Sequence, residues 1–157
     1  MADAKKAETL QLLQDLLKTA KTSGASDADI VLSDTASVSV SRRHGAPESL
    51  VRSEEADIGL RVFVGRKQAI VSSSDRSPEA LVQMAERAVA MARNVPEDAF
   101  AGIADPSELA KSFPELDLYD PAEISAEKMA DTADAAEGSA LAVKGITNSD
   151  GAECGMS

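Results

Sequence analysis

Large aromatic side chains are scarce in this chain, whose 157 residues include no tryptophan, one tyrosine and three phenylalanines. Alanine is abundant instead, with 28 copies. Because apolar burial stabilises a fold by about 25 cal/mol per Å², an alanine contributes far less than a leucine. The length suits one domain. The modest core indicates a domain that gains stability by packing on something else.

Cysteine and histidine occur once each, as Cys154 and His44. A single cysteine excludes an intramolecular disulfide and suits a reducing compartment, so we expect the protein in the cytoplasm. Apolar runs of about 18 residues are missing as well, which argues against a transmembrane helix. The amphipathic first 20 residues contain no apolar core of the kind found in signal peptides.

Positive charge is nearly missing from the last part of the chain. Up to Val95 there are 13 acidic and 13 basic residues, whereas from Pro96 onward there are 14 acidic and 3 basic ones. The whole net charge of −11 therefore lies in this acidic part. DNA binding needs clustered lysine and arginine to neutralise phosphates, so direct nucleic-acid binding is disfavoured.

The clearest pattern in the chain is a strand–turn–strand–helix block from Ala56 to Arg93. Aliphatic residues at 58, 60, 62 and 64 alternate with other types, which predicts a strand with one buried face. Gly65-Arg66 suits a two-residue hairpin turn, and Gln68–Ser73 returns as a second strand. Ser77-Pro78-Glu79 has the residue types that begin a helix.

The remaining pattern predicts an α+β fold. It is a two-layer sandwich in which a mostly antiparallel sheet of about five strands has helices on one face. A connector with three prolines follows the second helix, and Ser125 caps an alanine-rich third helix. The other predicted elements are a helix over residues 6–21, strands over 29–33 and 37–43 (separate, or one bent strand), a turn at 44–47, a strand over 48–55, a helix over 126–142 and a strand over 144–147.

The predicted organisation has three parts. Residues 1–95 form the α+β domain, residues 96–124 an extended acidic connector pinned by apolar anchors, and residues 125–157 a helix and the start of a hairpin. Only six residues follow the turn at 148–151, so the hairpin's second strand is short. We therefore expect the chain to be a fragment, or a truncated product, of a longer protein.

Candidate catalytic residues are few, and each has a simpler interpretation. His44 lies in a basic turn, where an exposed polar residue is ordinary. Cys154 has no base nearby that could activate its thiol as a nucleophile. The cluster Ser72–Asp75 has no histidine partner in reach by sequence, and is expected to bond to backbone groups where the strand ends.

Two sets of charged residues leave alternatives open. The acidic set invites a calcium or carboxylate-dyad interpretation, but it lacks EF-hand spacing and is expected to be solvated. The basic set forms either an ordinary solvated sheet face or a surface for an acidic partner, including the acidic half of this chain. The acidic set is Asp117, Asp120, Glu123, Glu127, Asp131 and Asp134; the basic set is Arg42, Arg43, Arg52, Arg61, Arg66 and Lys67.

Six pieces of the chain, in order, resemble the amino-terminal region of the PmbA/TldD family. No single piece is specific, but their order and spacing are, and the branch looks like PmbA. The resemblance runs from about Leu10 to Ala152. The pieces are Ser41–Gly45, Ile58–Gly65, Val71–Asp75, Gly102–Pro106, Pro114–Pro121 and Ile146–Ala152.

The resemblance implies a function that the residues alone do not. Members of this family were named modulators of DNA gyrase and are regarded as a metallopeptidase system. Those of the TldD type carry a His-Glu-x-x-x-His zinc site in their carboxy-terminal half, and a chain with one histidine cannot supply it. We therefore predict no catalytic, cofactor-binding or metal-binding residue in these 157 residues, and zinc only in the carboxy-terminal half of a TldD-like partner.

By resemblance, the chain is the non-catalytic amino-terminal domain of a PmbA-like subunit. Its expected partner is a TldD-like subunit or a second copy. The full complex degrades unfolded or flexible peptides and takes part in peptide-antibiotic maturation, without direct nucleic-acid or membrane contact. The alternative is a non-enzymatic interaction module whose sheet edge binds partner peptides by strand addition.

Overall fold

A computed structural model describes residues 2–157, and it has three helices and one four-stranded antiparallel sheet in the order β3-β2-β1-β4. The α+β class is confirmed, but the count of about five strands was wrong. Two pairs of predicted strands merge, because no turn residue interrupts either run. The elements are α1 (Ala2–Ser23), β1 (Asp27–Arg43), β2 (Ala46–Val64), β3 (Lys67–Ser73), α2 (Pro78–Asn94), α3 (Ala126–Leu141) and β4 (Ala152–Met156).

Two-residue turns join the first three strands. His44 and Gly45 connect β1 to β2 with φ angles of 50° and 73°, which is the conformation that short hairpins favour. Gly65 and Arg66 connect β2 to β3, and Gly65 has a φ of 61°. The predicted turn at Gly65-Arg66 is therefore confirmed, and the one at residues 44–47 is shorter than predicted.

The chain divides into two compact units, each made of two separate segments. Unit 1 comprises the residues up to Ser33 together with Ala56–Phe113. Unit 2 comprises Asp34–Glu55 together with Pro114–Ser157. The predicted organisation into residues 1–95, 96–124 and 125–157 stays a prediction.

The core of unit 1 lies between one face of its strands and the helices α1 and α2. Ile58, Leu60 and Val62 are fully buried, as the alternation in β2 predicts. The side chain of Ser77 accepts a hydrogen bond from the backbone N–H of Ala80, so the predicted helix start is confirmed as well. Helices α1 and α2 contribute Leu16, Ala20, Leu81, Met84, Ala85, Ala88, Val89 and Ala92 to this core.

The opposite face of β2 is less exposed than its sequence indicates. Phe63 is only 2% exposed, although it alternates with the core residues. The Arg61 guanidinium lies over its ring at 5.2 Å from the centroid, and Ser26 donates a hydrogen bond to its backbone oxygen. Phe63 is therefore a buried aromatic position in unit 1 outside the main core.

Unit 2 is smaller and is built around α3. Met129 and Ala133 of α3 are buried, as is Val40 of β1. Strand β4 pairs antiparallel with β1, from Val38 opposite Met156 to Arg42 opposite Ala152. The predicted strand over residues 144–147 was wrong, because Gly145 has a φ of 101° and interrupts the extended run. The last strand therefore pairs with β1 and not with that segment.

None of the helices within residues 2–157 has the combination of length and apolar composition that crossing a lipid bilayer requires.

Candidate functional site

The serine cluster at the end of β3 is engaged in local backbone bonding. The Ser73 hydroxyl accepts a hydrogen bond from the backbone N–H of Asp75 at 3.0 Å and donates to its carbonyl at 3.2 Å. The Asp75 carboxylate accepts the backbone N–H of Ser77 at 2.8 Å, which holds the pKa of Asp75 below its usual range. The expectation that this cluster bonds to backbone groups is confirmed. These hydrogen bonds lie in the segment that directly precedes α2.

The two single candidates lie in separate elements of unit 2. His44 is an exposed residue of the β1–β2 turn. Cys154 is half-buried in β4 opposite Val40 of β1. Within residues 2–157 there is no group of three or more histidine, cysteine, aspartate or glutamate side chains that could hold a metal ion.

Helix α3 makes a polar contact with β1 whose individual partners the sequence did not indicate. Arg42 donates from Nε and Nη2 to the two carboxylate oxygens of Asp134, at 2.9 and 2.8 Å. The two side chains are only 16% and 34% exposed. This hydrogen bond lowers the pKa of Asp134 and raises that of Arg42. The assignment of Asp134 as a solvated acid was wrong, because helix packing places it beside an arginine.

The turn between β1 and β2 is held by a buried carboxylate. Glu137 of α3 is 3% exposed and accepts the backbone N–H of Gly45 at 3.4 Å. Its pKa is lowered first by the backbone N–H of His44 and then by the Ser149 hydroxyl, whereas burial acts in the opposite direction. Asp134 and Glu137 are three residues apart and therefore share one face of α3. Two acids on one helix face do not by themselves indicate a partner on β1.

Each of the basic residues has a nearby acceptor. Arg42 pairs with Asp134, and Arg43 pairs with Asp150. Both acids lie in the acidic half of the chain, which agrees with one of the two interpretations of the basic set. In unit 1, Arg61 pairs with Asp29. The remaining contacts are Arg52 with Glu54, Arg66 with the carbonyl of Ala99, and Lys67 with the carbonyl of Arg93.

Low pH is expected to loosen α3 from β1. The carboxyl pKa values of Asp134 and Glu137 lie below their ordinary values of 3.8 and 4.5. A carboxyl group whose pKa is lower in the folded than in the unfolded state stabilises the fold at pH values above its unfolded pKa. This stabilisation is lost as the pH falls through its folded pKa. Hydrogen-exchange protection factors for α3 should therefore be constant above about pH 5 and drop as the pH falls below it.

Asp134→Asn provides the control for this pH effect, because it removes one titrating group from an otherwise similar side chain. We expect lower protection of α3 at neutral pH in this variant and a smaller further loss in acid. An equal acid-induced loss in the variant and the parent chain would show that Asp134 does not contribute to the pH dependence.

Several large apolar side chains after α2 are exposed. They were expected to anchor the connector, and that expectation was wrong for most of them. In unit 1 these side chains include Phe100 at 96% and Phe113 at 82% exposure. In unit 2 they include Leu118 at 84% and Tyr119 at 79%. Exposed aromatic residues of this kind are enriched where proteins bind other proteins.

Unit 1 has a groove of about 550 Å³ beside β3. Ser73 and Asp75 line it on the strand side. Helix α2 lines the other side with Met84, Glu86 and Arg87 among others. An open sheet edge next to a helix can accept an extended peptide as a further strand. This groove is a candidate interaction site in unit 1.

Comparison with known proteins relates this chain to metallopeptidases. Residues 28–92 match the family model described as PmbA/TldA metallopeptidase domain 1. Metalloprotease PmbA of Escherichia coli O157:H7 is 37% identical over 145 residues, which cover 90% of this chain and 32% of that protein. A metalloprotease PmbA homolog of Haemophilus influenzae is 32% identical over 150 residues, covering 95% of this chain and 33% of that protein. The chain therefore spans about a third of the length of these curated relatives.

Solved structures share the fold at lower identity. A protein described as a modulator of DNA gyrase from Bacteroides thetaiotaomicron has a TM-score of 0.77 at 23% identity, over 88% of this chain and 32% of that one. TldE from Thermococcus kodakarensis has a TM-score of 0.58 at 13% identity, over 68% of this chain and 24% of that one. Fold and sequence together define a first domain of the metallopeptidase type. The chain belongs to the PmbA/TldD family, and residues 28–92 correspond to the first domain of that family.

Proposed function

We propose that this chain is the non-catalytic amino-terminal domain of a PmbA-like subunit in a TldD/PmbA-type metallopeptidase system. The observation that carries the proposal is the 37% identity to metalloprotease PmbA over 90% of the chain. In this proposal the domain supplies walls of the complex and a subunit interface. A TldD-like partner carries zinc in its carboxy-terminal half, and the complex acts in the cytoplasm on unfolded or flexible peptides.

The composition of the described residues supports a non-catalytic role. Zinc sites in proteins are built from histidine, cysteine and carboxylate ligands in a nearly tetrahedral arrangement. Residues 2–157 contain no cluster of three such side chains, and His44 and Cys154 lie in different elements. Catalytic, cofactor-binding and metal-binding residues are therefore proposed to lie outside this stretch, with no direct nucleic-acid or membrane contact within it.

We expect the purified 157-residue chain to cleave no peptide and to retain no zinc. The reason is the lack of sufficient ligands for a tetrahedral site. Metal content should be measured after dialysis against a weak chelator, and cleavage should be followed with unfolded peptides. Stoichiometric zinc in the dialysed chain, or cleavage that a strong chelator inhibits, would contradict the proposal.

A pull-down tests the partner. With this chain as bait, a TldD-like subunit is expected as the main captured protein, and the captured complex is expected to cleave flexible peptides. Capture of unrelated peptides without that subunit would favour the second candidate function. That candidate is a non-enzymatic module that binds peptides at a sheet edge, and the groove beside β3 is the observation in its favour.

A further inference from the structure

The turn before β4 contains the one Asp–Gly step of the chain, Asp150-Gly151. An aspartate can rearrange when the backbone nitrogen of the following residue attacks its side-chain carbonyl carbon. Glycine favours this reaction, because it has no Cβ that would shield its nitrogen. Every other aspartate in the sequence is followed by a residue with a side chain. Asp150 is therefore the aspartate whose following nitrogen is least hindered.

The Asp150 carboxylate is open to solvent. Its side chain is 104% exposed, and its Oδ1 atom lies 3.8 Å from Nη2 of Arg43. An exposed ion pair at this distance contributes little free energy, so it restrains the carboxylate weakly. The side chain can therefore rotate until Cγ approaches the backbone nitrogen of Gly151.

The Gly151 nitrogen is held by a side chain and not by the sheet. The pairing of β4 with β1 begins one residue later, at Ala152 opposite Arg42. The Gly151 N–H donates to the Ser149 hydroxyl at 2.9 Å. The same hydroxyl bonds to the buried Glu137 carboxylate. Ser149 therefore controls how easily the Gly151 nitrogen reaches Cγ of Asp150.

Aspartates elsewhere in unit 2 are protected in ways that Asp150 is not. Asp131 and Asp134 lie inside α3, where the backbone N–H groups are bonded along the helix. Asp120 precedes a proline, whose nitrogen has no hydrogen to lose. The exposed carboxylate and the unshielded nitrogen coincide at Asp150.

We propose that Asp150 is a modification site that isomerises to isoaspartate, and that the product releases β4 from β1. The Gly151 nitrogen forms a bond to Cγ of Asp150, and the carboxyl hydroxyl leaves as water with the amide proton. The result is a five-membered succinimide. Water then adds to the ring carbonyl that belongs to the Asp150 main chain, and the bond from this carbon to nitrogen breaks. The composition is unchanged, but the chain now continues through Cγ.

Isoaspartate lengthens the main chain by one methylene group directly before β4. Gly151 packs closely on β1 at this point, since an added Cβ would lie 2.7 Å from the backbone oxygen of Arg42. The longer main chain displaces Gly151 and, with it, the pairing of Ala152 with Arg42. The free carboxylate is then attached to Cα, where carboxyl methyltransferases specific for isoaspartate methylate it. This proposal does not depend on the peptidase role.

Ageing of the purified chain tests the modification. The chain is kept at neutral pH and physiological temperature, and isoaspartate is located by electron-transfer fragmentation of its peptides. Methyl transfer from S-adenosylmethionine by an isoaspartate-specific methyltransferase measures the total amount. We expect at least about tenfold more isoaspartate at Asp150 than at Asp117, an exposed aspartate that precedes leucine. Isomerisation leaves the peptide mass unchanged, which distinguishes it from deamidation of the nearby Asn148.

Three variants test the roles of the two side chains. Asp150→Glu keeps the charge but would need a six-membered ring, so it should form no isoaspartate-type product at this position. Ser149→Ala removes the acceptor of the Gly151 N–H and should raise the rate about two- to tenfold, the equivalent of one net hydrogen bond. Ser149→Thr keeps a hydroxyl and should leave the rate within about twofold. Circular dichroism before ageing checks that each variant is folded.

Hydrogen exchange measures the structural consequence. In the aged chain, the isomerised fraction should lose protection over residues 152–156, whereas aged Asp150→Glu should keep it.

Three outcomes would overturn the proposal or one of its parts. Isoaspartate no more abundant at Asp150 than at Asp117 would exclude the modification site. Isoaspartate at Asp150 with full protection of residues 152–156 would exclude the release of β4. Equal rates in Ser149→Ala and the parent chain would show that the hydrogen bond to Ser149 does not control the reaction.

Discussion

Leu60→Ala is expected to lower the free energy of unfolding by about 2–5 kcal/mol, the usual cost of truncating a buried leucine. Leu60 is fully buried in β2 and belongs to the core that α1 and α2 cover. With a core short of aromatic residues, few neighbours can move to fill the cavity. Denaturant titration of the chain measures the change directly.

The matched control for Leu60→Ala is Val31→Ala on the neighbouring strand. Val31 is 71% exposed, so its truncation should change the free energy of unfolding by no more than about 0.5 kcal/mol. Similar denaturation midpoints for the two variants would mean that the register of β2 places its aliphatic face outward.

Gly151→Ala is expected to detach β4 from β1. Gly151 has a φ of 105°, and an added Cβ would lie 2.7 Å from the backbone oxygen of Arg42. That atom belongs to β1 and cannot move without disturbing the pairing. Hydrogen-exchange protection of residues 152–156 should therefore fall to the level of an unpaired segment.

Gly145→Ala separates the steric clash from the backbone strain. Gly145 has a similar φ of 101°, but no atom lies within 4 Å of its added Cβ. The strain alone costs about 1–2 kcal/mol, so this variant should weaken unit 2 slightly and leave β4 paired. Equal loss of β4 protection in both variants would show that φ, and not contact with Arg42, controls the pairing.

Local patterns in the sequence predict the elements of unit 1 well. The alternation around Leu60, the Gly65 turn and the Ser77 cap are short-range signals, and each one corresponds to an element in the structure. For β1 the sequence left a single bent strand open as one of two interpretations. Strand β2 was missed as a single element, because strands as long as this one are uncommon.

Long-range pairing in unit 2 could not be predicted in this way. The register of β4 against β1 depends on which edge is free in three dimensions. The burial of Asp134 and Glu137 depends on where α3 packs, and acidic residues in an acidic segment give no sign of a partner. The same limit applied to Phe63, since alternation placed it on the face opposite the core.

The interleaving of the two units has a consequence for the order of folding during synthesis. Every segment of unit 1 has left the ribosome once Phe113 has, whereas unit 2 still lacks α3 and β4. The pairing of Val38 with Met156 can form only after Met156 has been synthesised. Contacts between such distant positions form slowly, because the entropy of closing a long loop is lost before the contact contributes any stabilising free energy. Nascent chains stalled after Phe113 should thus contain a folded first unit and an unprotected β1–β2 turn.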